Sequence, residues 1–305
     1  MAAAGLPARC RLIHALGDLP MSGSRLAPYA QAAPLAIIML AMVGIPLITV
    51  LVISFWESDG IMLYPAFRWQ NYTEILSRGL VYSLFLKTFT YAAITLVMTI
   101  LIGFTCSYFL VFHVKNLKWQ IALLLVCTVP FWTSNVIRMI SWIPFLGREG
   151  LFNSSLMHIG VIDAPLDFLL YSDFAVVLTY VHLFTLFMLV PIFNSMAKIN
   201  PNLIEAAKDA GAGSWAILRD IVIPLSRTGI ALGSIFVLTL VMGDFFVVRV
   251  MSGGQSASVV SAMKNNIDQL YYPQASALAI MLVGVVLMIV AGILRIVDIR
   301  SELAK

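Results

Sequence analysis

Charged side chains are what this chain most conspicuously lacks. Of its 305 residues only 11% are Asp, Glu, Lys or Arg, against 61% hydrophobic, and the mean hydropathy is +0.95. Water-soluble domains carry about a quarter of their residues as charges, so a soluble globular protein is excluded and a membrane protein is indicated. Cysteine is also scarce: Cys10, Cys106 and Cys127 are odd in number and widely separated. Two of them fall in apolar runs, where a thiol behaves as a small hydrophobe, so neither a disulfide framework nor a thiolate metal site is expected. No G-x-x-x-x-G-K-[ST] loop is present, which removes that type of nucleotide site. Nor is there a nucleophile–base pairing or a metal-ligand spacing, and an enzyme with a resident metal or cofactor is therefore not expected. The net charge of +4 and pI near 9.0 would suggest nucleic acid in a soluble protein. Here membrane topology accounts for the charge, and no nucleic-acid partner is expected.

What the chain does have is long apolar runs. A helix needs about 20 mostly apolar residues to cross the hydrocarbon layer. Six such stretches lie near 33–55, 88–112, 119–143, 173–194, 228–251 and 276–297. The expected fold class is all-α, a polytopic membrane protein of about six transmembrane helices. Its expected parts are a cytoplasmic tail over 1–32, a transmembrane domain over 33–297 and a short cytoplasmic tail over 298–305. The first run exceeds the h-region of a cleavable signal peptide, so it reads as an uncleaved span. Pro46, Pro130 and Pro191 lie inside spans, where neighbouring groups can satisfy the carbonyls that proline frees.

Orientation follows from the basic residues. With both termini inside, twelve of the 19 Lys and Arg face the cytoplasm, among them Lys115, Lys118, Lys198, Lys208, Arg219, Arg227 and Arg295. Nine of the 15 carboxylates, including Glu57, Asp59, Asp173, Asp244 and Asp268, then fall outside or in the outer half. Three stretches face outward: 56–87, 144–172 and 252–275. The first holds Trp56, Tyr64, Trp69 and Tyr72, the aromatic content of a segment at headgroup level. The second, around Gly147 to Leu156, reads as a short amphipathic element.

The cytoplasmic loop 198–227 carries unusually complete helix signals. Asn200 suits an N-cap, and Pro201 suits the first helical position, where its missing N–H costs nothing. Glu205, Ala206 and Ala207 favour helix, and Gly211 suits the left-handed residue that closes one. Leu203, Ala207 and Ala210 share one stripe at helical spacing. A second helix is expected to be capped by Ser214 and to run through Trp215, Leu218 and Ile221 as far as Pro224. A short helix outside the bilayer with a small-residue face can fit a groove on a soluble partner, or can be an ordinary interfacial loop helix.

Glu205-Ala206-Ala207, three residues, Gly211, nine residues, then Ile221-Val222-Ile223-Pro224 resembles the EAA-x3-G-x9-I-x-L-P signature of ABC importer permeases, with Ile223 in place of Leu. The resemblance implies the type I (MetI-like) importer permease fold in a bacterial inner membrane. It implies that Glu205, Ala206, Ala207 and Gly211, with Ile221 and Pro224 in the same signature, couple this chain to an ATP-hydrolysing subunit. The implied partners are two ATP-binding cassette subunits that hold the ATP, a second and different permease chain, and a periplasmic or extracellular solute-binding protein. Trp69-Gln-Asn71-Tyr72, the run Pro130-Phe-Trp132-Thr-Ser134-x3-Arg138-x3-Trp142, Gly150-x2-Asn153 and Gly243-Asp244-Phe245 resemble the spermidine/putrescine group within that family. Importers of iron, phosphonates, opines and sugar–amino acid conjugates share much of that pattern. A secondary transporter would instead show internal repeats and interrupted helices with ion sites, and would have no use for the EAA pattern.

Within the spans, an ionisable side chain costs about 2.5–3.5 kcal/mol on insertion scales. Asp244 is read either as a carboxylate that eases a cationic solute across or as a packing carboxylate paired with Arg138 or Arg249. Arg138, with Trp132 and Trp142, reads as an aromatic and cationic rim of the pathway or as a snorkelling anchor. His182 reads as a lone packing imidazole.

Overall fold

The computed structural model describes residues 27–297. The expectations for residues 1–26 and 298–305 lie outside them. The chain divides into two compact units, 1–49 and 50–305. Most of the first described helix, α1 (Ala27–Ile53), belongs to the first unit. It accommodates Pro34 and Pro46 and begins inside the stretch read as a tail. No residue between Ala32 and Ile53 is buried, as suits a helix whose surroundings are hydrocarbon.

The second unit opens with a two-stranded hairpin, β1 (Glu57–Ser58) and β2 (Leu63–Tyr64), and a short helix α2 (Gln70–Ser77). A 34-residue helix α3 (Gly79–Phe112) follows. It starts nine residues before the expected span and so takes Lys87 into the helix. Next come α4 (Leu117–Thr128), a 3-10 turn (Val129–Trp132), α5 (Asn135–Ile140), α6 (Trp142–Leu146) and α7 (Leu151–His158). The run 119–143 is therefore not one straight span: the two halves meet at 91°. Pro130 lacks the N–H that would continue α4, yet Val129 before it stays helical at φ −51°, ψ −44°, and the chain turns at Thr133 and Ser134, with ψ 149° and 141°. Beyond the break, the Ser134 hydroxyl accepts from Val136 N at 3.3 Å and restarts the chain as α5.

Helix α8 (Asp173–Met196) is started by Ser172, whose Oγ accepts from Ala175 N at 3.2 Å. It is followed by α9 (Pro201–Asp209), α10 (Ser214–Ile217), a π turn (Leu218–Val222) and α11 (Ile223–Met242). Two details differ from the sequence reading. Ser214 is the first residue of its helix rather than the cap, a position held by Gly213. Pro224 does not stop the helix either. The widened π turn just before it spaces out the i−4 carbonyl that a proline ring would strike, so 214–242 runs as one 29-residue apolar helix. Span five then breaks at Gly243–Phe245 before α12 (Phe246–Met251), and α13 (Val259–Asp268) and α14 (Tyr272–Ile296) complete the unit. Among the described residues five helices are long and apolar enough to cross a membrane, or six with the bent pair.

Helix α8 is the axis of the unit, packed against both α3 and α11, which also pack against each other. Its Val176, Tyr180, Met188, Ile192 and Met196 are fully buried along one stripe. Lipid tails are as apolar as leucine, so helices in a membrane associate through close packing rather than through water release. Gly229 and Gly233, four apart on α11, supply that closeness. A Cβ at Gly229 would sit 2.4 Å from the Pro191 carbonyl oxygen and 2.9 Å from Ile192 Cα, and one at Gly233 would sit 2.6 Å from Met188 Sδ.

Candidate functional site

The helix α9 hangs at one end of the bundle, held at both of its own ends by local chemistry. Asn200 Oδ1 accepts from Asn202 N at 3.0 Å, and Pro201 takes the first helical position. At the other end Gly211 N donates to Lys208 O at 2.8 Å and Ala212 N to Ala207 O at 2.9 Å. This pair of bonds closes a helix on a left-handed residue, and Gly211 has φ +84°. Ile204 and Ala207 pack inward with Ala212, Leu218 and Ile221. Glu205, Ala206, Ala210 and Gly211 are exposed, as is half of Leu203. The expected stripe of Leu203, Ala207 and Ala210 is thus divided: Ala207 seats the helix, while Leu203 and Ala210 face away. Of the signature residues, Glu205, Ala206, Gly211 and Pro224 are open to solvent, whereas Ala207 and Ile221 touch the bundle. Ile223, the departure from the signature, is 40% exposed, so exchanging one branched aliphatic for another of the same size there changes little in the packing. A cleft of about 470 Å³ separates α9 from the end of α3, bordered by His113, Lys115, Glu205 and Lys208.

The opposite end of the bundle holds the ionisable residues that the sequence marks in the spans, Asp244 and Arg138, each in a group of its own. In the first, Asp244 Oδ1 accepts from Tyr180 O–H at 3.2 Å and from Val247 N at 2.8 Å. It thereby caps α12 and ties it to α8. Neither Arg138 nor Arg249 pairs with it, which removes the expected ion pair. In the second, Arg138 lies on α5 with its guanidinium 5.0 Å from the centre of the Phe131 ring. It donates to Asn135 Oδ1, and its Nε has no partner among the described residues. Trp142 Nε1 donates to His182 Nδ1 at 3.0 Å, so His182 is a positioned acceptor rather than a lone packing residue. Trp132 is 82% exposed at the break after the 3-10 turn.

Tyr180 and His182 stand two residues apart on α8, about 200° around the helix. Asp244 and the Arg138–Trp142 group consequently lie on opposite faces of α8.

Two motifs of the substrate-group resemblance turn out to brace loops. Asn71 Nδ2 donates to Ser54 O and Trp56 O at 2.8 and 2.9 Å, and the Tyr72 hydroxyl meets Ser54 Oγ at 2.7 Å. These bonds clamp the hairpin onto α2. Asn153 Nδ2 donates to Gly147 O at 3.0 Å while its Oδ1 accepts from Leu166 N at 2.9 Å, which staples the 144–172 stretch.

The sequence reading passed over a further group. Lys87 of α3 faces Asp173 of α8 at 3.3 Å and donates to Ser256 Oγ at 2.8 Å. Asp173 Oδ1 also accepts from Tyr91 O–H and Ser256 O–H, each at 2.5 Å. The available signal was a lysine eight residues into an apolar run of helical length. Starting span two at 88 hid it.

Comparison with known proteins follows from this geometry. A family model described as binding-protein-dependent transport system inner membrane component matches residues 114–300. The spermidine/putrescine transport system permease protein PotB of Escherichia coli (strain K12) is 28% identical over 251 residues, 81% of this chain and 90% of that one. The protein of the same name from Haemophilus influenzae is 29% identical over 222 residues, 72% of this chain and 76% of that one. Among solved structures, a chain of a bacterial alginate ABC transporter, in complex with alginate pentasaccharide-bound periplasmic protein, superposes with a TM-score of 0.70. The superposition covers 90% of this chain and 94% of that one at 19% identity, a likeness of fold alone.

Proposed function

Since the chain belongs to the family of binding-protein-dependent transport system inner membrane components, we propose that it forms half of the membrane pathway for a polyamine or related amine-bearing solute, driven through α9 by a separate ATP-hydrolysing subunit. It is a multi-pass inner-membrane protein and the permease subunit of an ABC importer. The observation that carries the coupling role is the construction of α9: a helix capped at both ends, seated by Ile204 and Ala207, with Leu203, Glu205, Ala206 and Gly211 turned to solvent. A rigid outward face of this kind is what a groove on a soluble partner can grip. The inward packing of Ile204, Ala207 and Ile221 makes any displacement of α9 push on the bundle.

In this reading the α9 end, with Lys115, Lys198, Lys208, Arg219 and Arg227, is cytoplasmic, as are both termini. The hairpin, α2 and α13 then face the compartment from which a solute-binding protein delivers. Two ATP-binding cassette subunits and a second permease chain complete the assembly. The polyamine assignment is supported by the relatives named PotB and by the carboxylates gathered at the end opposite α9. Another small solute of the same importer class is the alternative, distinguished by which ligand shifts the melting temperature of the cognate binding protein.

The test of coupling is Glu205→Lys in the assembled transporter, reconstituted with its ATPase subunits and binding protein. The charge reversal lies on the exposed face, so the bundle stays inserted while uptake per ATP hydrolysed drops or the ATPase fails to assemble. Unaltered coupled uptake would sink the docking role.

A further inference from the structure

We propose that the cleft between α3 and α8 beside Lys87 and Asp173 is a subsite for the ammonium end of a cationic solute, with Asp173 as its acceptor and Lys87 as the resident cation that the solute displaces. The inference rests on the amine-bearing solute proposed above and adds where in this chain the amine is held.

Four observations point to it. First, the pair is costly and open at once: a lysine within an apolar helix needs a reason to be there, yet the Lys87 and Asp173 side chains retain 36% and 55% of their exposure. A brace between α3 and α8 would be sealed between them, as Tyr91 is at 3% exposure.

Second, the two carboxylate oxygens are treated differently. Oδ1 is fixed by the hydroxyls of Tyr91 and Ser256, so the carboxylate is aimed before any cation arrives. Among the described residues Oδ2 has only Lys87, at 3.3 Å, longer than the 2.7–2.9 Å of a strong charge-assisted hydrogen bond. A compact alkylammonium can take that position at closer range.

Third, when Lys87 yields Oδ2 it keeps a hydrogen bond to Ser256 Oγ at 2.8 Å, so its ammonium is not abandoned.

Fourth, the cleft has the right lining and size. It encloses about 550 Å³, with Leu86, Ile94, Phe174 and Val177 as apolar walls and the hydroxyl of Thr90 among them. Methylene chain against aliphatic wall, with charge against a preset carboxylate, is the recognition an aliphatic amine requires. Sulfated or carboxylated solutes would meet Asp173 head on and are disfavoured.

The experiment uses the complete transporter, with ATPase subunits and binding protein, in proteoliposomes. Carbodiimide activates the Asp173 carboxyl as an O-acylisourea. The Lys87 amine displaces the urea and forms an amide, giving a cross-linked peptide that mass spectrometry counts. Putrescine, itself an amine that can displace the urea and leave its own amide on Asp173, is expected to lower the Lys87 cross-link several-fold more than glycinamide at the same concentration, which competes for the activated carboxyl without an alkyl chain for the cleft. Equal yields with putrescine and with glycinamide overturn the subsite.

In parallel, Asp173→Asn is expected to cut putrescine uptake by about ten-fold or more, the size of one charged hydrogen bond. The charge-swapped double variant, Lys87→Asp with Asp173→Lys, restores an ion pair but moves the carboxylate away from the position that the Tyr91 and Ser256 hydroxyls preset, so uptake stays low; recovery in the swap would make the pair a mere brace and overturn the proposal. If Asp173→Asn does not assemble, the cross-linking of the unaltered protein still decides. Absence of uptake of any amine by the unaltered transporter would instead defeat the amine assignment itself, whatever the two variants do.

Discussion

Replacing Gly211 isolates the contribution of one backbone angle to coupling. The residue has φ +84°, and a Cβ added there meets nothing within 4 Å, so any cost of a larger side chain is conformational rather than steric. Left-handed backbone costs an ordinary L-residue about 1–2 kcal/mol, a shift of about 5–30-fold in the equilibrium between closed and frayed helix ends. What is put at risk is the pair of closing bonds, Gly211 N to Lys208 O at 2.8 Å and Ala212 N to Ala207 O at 2.9 Å, each contributing about 1 kcal/mol. Because Ala207 also seats α9 on the bundle, fraying at this end loosens the helix where it must transmit force. The assay is uptake per ATP hydrolysed in the reconstituted transporter. The series should fall in the order glycine, asparagine, alanine, valine, since asparagine tolerates the left-handed region and a β-branched residue resists it most. Equal coupling in all four would refute the idea that the left-handed closure matters. A deficit in Asn as deep as in Val would show that the exposed surface, not the angle, is being read.

Three further outcomes are expected. Gly229→Val drives a side chain into backbone atoms of α8 at 2.4 and 2.9 Å, so the detergent-solubilised protein should lose several degrees of thermal stability, by about 1–3 kcal/mol or more; an unchanged melting curve would contradict the close approach. Asp244→Asn keeps an acceptor oxygen for Tyr180 and for the start of α12, so assembly should persist while uptake of a cationic solute weakens, and unchanged uptake would leave Asp244 with the cap alone. At the hairpin, the amides of Met62 and Ile61 hold the Asp59 carboxyl below its ordinary range. Their bonding to it is therefore complete above about pH 4 and lost as the pH falls through the lowered value; the hydrogen-exchange protection factors of the Ile61 and Met62 amides, which correct for the intrinsic pH dependence, should fall only in that acid range.

Legibility in the sequence depended on how local each determinant was. The α9 helix could be read residue by residue because Asn200, Pro201 and Gly211 act on groups within a few positions of themselves. Asp244 was visible as a carboxylate in an apolar run, but its partners Tyr180 and Val247 were not, since Tyr180 lies 64 positions away. The break after Trp132 was half visible: Pro130 announced a disturbance, yet whether the helix bends by a few degrees or by 91° depends on what packs around it. The Lys87–Asp173–Ser256 group was missed because its members come from three separated stretches, and because the boundary of α3 was drawn just past the lysine.

The sequence by itself determined that this is a helical membrane protein, where its apolar runs lie, and that a capped helix interrupts the fourth and fifth of them. Those are consequences of composition, of 20-residue hydrophobic length and of side chains that cap their own helix ends. Only the tertiary structure decided which face of α9 is free, that Pro224 is absorbed by a π turn, and that Asp244 and Arg138 lie on opposite faces of α8. It also decided that a lysine and an aspartate meet at the mouth of a cleft. Each of these depends on the rotation of one helix about its axis relative to another. In a membrane that rotation is set by close packing, here of Gly229 and Gly233 against α8, for which hydrophobic pattern alone carries almost no signal.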